Sequence, residues 1–146
     1  MSAPLDRDTI EITSPCEPRF LSVVRLTVAG MAARAGLGVA EVDDVKVAVS
    51  EACTNAMEHA YPPAEGKACP VIRVRMTARE GELRVEVEDE GGGFDPKRLP
   101  KVDLEQRVQD EGGLGVYLMH QLMDEVKIES APGSGTKISM VKRLAR

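Results

Sequence analysis

A chain of 146 residues with 42% apolar side chains suits one domain, 1–146, with a single packed core. The formal charge of −5, with acidic and basic residues interspersed and no basic stripe, argues against duplex nucleic acid as a main partner. No run approaches the roughly 20 apolar residues of a membrane span. "MSAPLDRDTIEI" lacks a charged region followed by an apolar one, so a cytoplasmic location is expected, with Cys16, Cys53 and Cys69 as reduced thiols. Three cysteines without CxxC spacing and two histidines make a protein-ligated zinc unexpected. The aromatic residues are Phe20, Phe94, Tyr61 and Tyr117, so the core must be aliphatic.

In chain order, "DTIEIT" (8–13) alternates Ile10 and Ile12 with polar residues and reads as a short strand, interrupted by "SPCEP". Residues 19–37 read as a helix, with Phe20, Val23, Val24, Thr27, Val28 and Met31 at helical period and Gly36 and Gly38 as the stop. A second helix runs from about Val39 to about Tyr61, where Pro62 and Pro63 forbid continuation. Its apolar stripe is Val42, Val45, Ala48, Val49, Ala52 and Ala56, and Glu51 and Asn55 lie beside that stripe.

"VIRVRMTA" (71–78) and "ELRVEVED" (82–89) read as a hairpin in which Leu83, Val85 and Val87 share one face. Period 2 assigns Asp89 to that same apolar face, a costly position for a carboxylate unless it meets a donor. From Glu90 to Gly113 the pattern dissolves into glycine, proline and charge, as expected of a lid or binding loop. "GVYLMHQLM" (115–123) is a short helix. "DEVKIES" (124–130) and "GTKISMVKRL" (135–144) form a second hairpin, with Thr136 inward beside Ile138 and Met140. The order β-α-α-β-β-lid-α-β-β predicts an α+β, two-layer sandwich: a mostly antiparallel sheet covered by helices on one face.

Three features carry chemistry. Glu51 and Asn55 stand one turn apart on a helix. "DEGGGF", Asp89 to Phe94, ends a strand. "GGLG", Gly112 to Gly115, opens a helix, where backbone N–H groups and the helix dipole favour phosphate. An inward aspartate can accept from an exocyclic amine such as adenine's. An asparagine carbonyl suits a magnesium ion that brings phosphate oxygens and waters. A glutamate nearby can act as base for a hydroxyl or water. Taken singly, each has a plainer reading: a solvated helix face, a flexible turn, an ordinary helix entry. His59 reads as structural, His120 as a surface or boundary residue, Met119 and Met123 as core, and Cys53 as a small buried thiol.

In order and spacing, "SEACTNAMEHAY", "VEDEGGGFDP", "GGLGVYLMHQLMDEV" and "GTKISM" resemble the motifs of the GHKL ATPases, from about Phe20 to Lys142. Within that superfamily the chain resembles the bacterial anti-sigma factors that are also serine-protein kinases. The resemblance implies a Bergerat-type ATP-binding fold and a kinase that uses Mg²⁺ and ATP. It implies two partners: a sigma factor of RNA polymerase, which the protein sequesters, and a small antagonist, which it phosphorylates on serine. Stress response or sporulation is the implied setting, and a homodimer the implied assembly.

The resemblance also implies roles. Glu51 would be the general base, where sensor histidine kinases usually carry asparagine, and Asn55 the magnesium ligand. Asp89 would take the adenine amine, with Gly91, Gly93 and Phe94 beside it and Thr136 in support. Gly112, Gly113, Leu114 and Gly115 would cradle phosphates, and residues 91–112 would form the lid, with Lys97, Arg98, Lys101 and Arg107 as candidate phosphate contacts. Arg25 matches a partner-binding arginine. The rivals are a nucleotide-binding switch that holds a regulatory partner without phosphotransfer, and a stand-alone ATPase.

Overall fold

The computed structural model describes residues 8–57, 71–90, 113–130 and 135–145. The element order is β1 (Thr9–Pro15), a 3₁₀ turn (Pro18–Phe20), α1 (Leu21–Arg34), α2 (Val39–Asn55), β2 (Val71–Arg79), β3 (Glu82–Asp89), α3 (Gly113–Leu122), β4 (Glu125–Ser130) and β5 (Thr136–Arg143). The five strands form one sheet in the order β1-β2-β3-β5-β4, and every pairing is antiparallel. The helices cover one face, as the sequence predicts.

Alternation decides which side chains meet the helices. Ile72, Val74 and Met76 of β2, Leu83, Val85 and Val87 of β3, and Ile138 and Met140 of β5 are buried on the covered face. α1 contributes Val24, Val28, Met31 and Ala32 to this core, and α2 contributes Val45, Ala48, Val49, Ala52 and Cys53. Each fully buried valine contributes roughly 1.5–3 kcal/mol. The alanines let the helices approach one another and the sheet closely.

Four expectations change in detail. Val23 is 52% exposed, because α1 buries the narrower stripe through Val24, Val28, Met31 and Ala32. α1 ends at Arg34, three residues early, in a Schellman turn. There the Leu37 N–H donates to the Ala32 carbonyl and the Gly36 N–H to that of Ala33, with Gly36 at φ 85°. β1 extends through Pro15, which an edge strand tolerates. α2 is regular to Asn55 and widens into a π-type turn at residues 56–57; its expected end at Tyr61 lies outside the described residues.

The uncovered face of the sheet alternates in charge across the strands. One row reads Thr13, Arg73, Glu88, Lys137, Glu129 and the next Glu11, Arg75, Glu86, Ser139, Lys127. Ion pairs knit it together: Arg75 with Glu11 at 2.9 Å, Arg73 with Glu88 at 3.1 Å and Lys137 with Glu86 at 3.2 Å.

The turn after α1 meets the hairpin between β2 and β3, where the Gly81 N–H donates to the Ala35 carbonyl at 2.8 Å. α2 therefore begins at that end of the sheet. It runs back along β3 and β5 toward the opposite end, where β3 finishes and β5 starts.

Candidate functional site

At that end three polar residues stand side by side on the helix-covered face. Asp89 pairs in register with Thr136, and Thr136 with Ser130. Asp89 and Thr136 are each only 6% exposed. The Ser130 and Thr136 hydroxyl oxygens lie 2.7 Å apart, and Ser130 Oγ also donates to the Gly135 carbonyl at 3.2 Å. These residues line a cleft of about 530 Å³ together with Glu88, Ile128, Glu129 and Lys137, within the range of small-molecule sites.

Gly135, one residue before Thr136, has φ +75°, and a Cβ there would collide with the Asp89 carbonyl oxygen. Only glycine fits this approach of β5 to β3. The sequence reading passes over Gly135; its signal is a glycine directly before an inward threonine at the start of a strand.

The second part of the site is a helix–helix contact. α2 packs against α3, and Glu51 lies against the backbone of Gly115. A Cβ built on Gly115 would stand 2.8 Å from Glu51 Oε2 and 3.5 Å from Glu51 Cβ. The "ExxxN" and "GGLG" features, more than 60 residues apart in the chain, therefore meet. Glu51 and Asn55 are half-buried, and α3 starts at Gly113 with Leu114 38% exposed and Gly115 buried. An α-helix leaves the N–H groups of its first turn without intrahelical partners, so a helix start is suited to an anion, and here it lies beside a carboxylate.

Gly91, Gly93, Phe94, Gly112 and the rest of the lid, 91–112, lie outside the described residues, as do Lys97, Arg98, Lys101, Arg107, His59 and Cys69. Arg25 is exposed on α1, away from the core stripe. His120 is exposed, and Met119 and Met123 are buried, as read from the sequence. Cys53, two residues from Glu51, is fully buried, and burial, aided by neighbouring Cys16, pushes its thiol from 9.0 to about 12. It is a packing residue and not a nucleophile.

Among the described residues no group of three His, Cys, Asp or Glu side chains is placed to hold a metal by itself. A lone asparagine carbonyl one turn from Glu51 fits an ion that arrives with its own phosphate and water oxygens. Among the described residues no helix is long and apolar enough to cross a membrane.

The family described as the histidine kinase-like ATPase domain matches residues 14–142. The serine-protein kinase RsbW of Bacillus pumilus is 42% identical over 95% of this chain and 88% of its own length. That of Bacillus subtilis is 38% identical over 94% and 86%, and that of Staphylococcus aureus 34% over 95% and 89%. A crystal structure of RsbU and RsbW domains from Mycobacterium tuberculosis superposes with TM-score 0.67 at 24% identity. It matches 99% of this chain, which spans about a third (34%) of that longer chain.

Proposed function

The chain belongs to the RsbW serine-protein kinases of the histidine kinase-like ATPase family, and on that premise we propose how its residues perform the transfer. The protein is an ATP-dependent serine kinase and anti-sigma factor. It sequesters a sigma factor of RNA polymerase and phosphorylates a serine of a small antagonist. The observation that carries the reading is the seating of Glu51 against Gly115, which sets a carboxylate beside a phosphate-binding helix start.

Asp89 accepts a hydrogen bond from the adenine amine, and the Thr136 hydroxyl, held by Ser130, supports it. Burial makes this discriminating, because a base without the amine forgoes a hydrogen bond made out of water. The N–H groups of Gly113, Leu114 and Gly115 hold the phosphates at the start of α3. Asn55 would ligate Mg²⁺, which when bound neutralises phosphate charge. Glu51 takes the proton of the attacking serine hydroxyl. With little covalent chemistry required of the protein, positioning and charge neutralisation supply most of the rate. The new phosphate then adds about two negative charges to the antagonist, which favours its release from this acidic protein.

One domain, 1–146, working as a homodimer with the lid at 91–112, completes the proposal. The test mixes the protein, Mg²⁺ and γ-labelled ATP with the small antagonist-like proteins of the same cell, with Glu51→Ala beside it. Label on a partner serine, lost in Glu51→Ala while ATP still binds, is the expected result. Transfer by Glu51→Ala at the wild-type rate overturns the base assignment. ATP binding with no label on any candidate leaves a nucleotide-gated binding module.

A further inference from the structure

Lys142 lies on the covered face of the sheet, in parity with Thr136, Ile138 and Met140 and in register with buried Leu83. A lysine facing a core needs a reason. Its side chain is 13% exposed, and its ammonium reaches two helices at once. It donates to Asp44 Oδ2 of α2 at 3.1 Å and to the carbonyl of Leu122, the last residue of α3, at 2.5 Å. A cation at a helix C-terminus satisfies an orphan carbonyl and complements the helix dipole. The neighbouring β5 residues fix the same corner. The Asp124 N–H donates to the Val141 carbonyl at 2.8 Å, and the Arg143 N–H to the Asp124 carboxylate at 2.6 Å.

The spacing links this corner to the site. Asp44 precedes Glu51 by seven residues, and Leu122 follows Gly115 by seven. Seven residues are two turns, so each pair shares a face of its helix, about 10 Å apart along the axis. α2 and α3 are therefore joined at two points along one seam: the Lys142 bridge at one end and the Glu51–Gly115 contact at the other. We propose that Lys142 is a positioning residue for phosphotransfer: bridging Asp44 and the end of α3, it sets how closely the start of α3 approaches Glu51. It touches neither nucleotide nor serine. The catalytic part of this proposal rests on the kinase reading above; the geometric part does not.

The test is Lys142→Met, which keeps length and removes the cation, beside Lys142→Arg, which keeps the cation. Amide NMR of the nucleotide-free proteins is the first readout. Gly115 and Glu51 resonances should move in Lys142→Met and return toward wild type in Lys142→Arg; a merely local role would move only neighbours of positions 44, 122 and 142. In the second readout, transfer at saturating Mg-ATP should fall about tenfold in Lys142→Met, with adenosine affinity within about twofold because the adenine row is untouched. Unmoved Gly115 and Glu51 resonances, or an unchanged rate, overturn the proposal. If Lys142→Met does not fold, Asp44→Asn breaks the same bridge at its outer partner and is held to the same two readouts. If the wild-type protein transfers no phosphate, the kinase reading falls and the resonances alone decide the bridge.

Discussion

Replacing Gly115 by alanine separates stability from catalysis. The added Cβ would stand 2.8 Å from Glu51 Oε2, whereas ordinary contact begins at 3.4 Å. The carboxylate must therefore retreat by about 0.6 Å to reach a normal separation. The backbone of α2 need not follow, because Glu51 Cβ is already 3.5 Å away. The same substitution favours the helix by up to about 1 kcal/mol, since glycine is a poor helix residue. Stability to urea should accordingly be unchanged or slightly raised. A misplacement of this order at a reacting group costs roughly 10- to 100-fold in rate, about 1.4–2.7 kcal/mol of barrier. Adenosine affinity should change little, because the Cβ meets Glu51 atoms and not the Asp89–Thr136 row. The assay is single-turnover transfer at saturating ATP beside equilibrium unfolding. Transfer at the wild-type rate would refute the argument. A stability loss above about 1.5 kcal/mol would show that backbone, not carboxylate, had given way.

Two further outcomes follow from the buried groups. Asp89→Asn puts an amide where the adenine amine needs an acceptor, and ATP affinity by calorimetry should fall about 10- to 100-fold, roughly 1.4–2.7 kcal/mol; unchanged affinity would sink the adenine contact. The Cys53 thiol is raised from 9.0 to about 12, so the folded protein holds a proton there that the unfolded chain releases near pH 9.0. Its contribution is fully present below pH 9.0 and is lost as pH rises toward 12. Between pH 9.0 and about 10.5 the stability of Cys53→Ala should fall less steeply than that of wild type, as urea unfolding would show.

Much of this arrangement is legible in the sequence because simple periods govern it. Parity along "ELRVEVED" and "GTKISM" puts Asp89 and Thr136 on the covered face, and register then makes them neighbours. The four-residue step from Glu51 to Asn55 reads directly as one helix face. What period cannot supply is distance between elements. Glu51 meets Gly115 because the packing of α2 on α3 brings two helices together, and no local pattern encodes that; the family resemblance groups them without giving the contact. Val23 fails for a related reason: an apolar residue at a helical step looks like core until the neighbouring helix fixes the centre of the stripe. Lys142 was within reach of parity alone, but a lysine at a strand end is easily read as solvated.

The uncovered face of the sheet makes the protein adaptable in practice. Its ion pairs are partly exposed and each contributes little; Glu88 and Lys137 reach the cleft, but the Glu11–Arg75 pair toward the β1 edge does not. A dye, an affinity handle or a tether to a surface could be grafted toward that β1 edge, with the chemistry left as it is. The molecule comes with a front that reacts and a back by which it can be held.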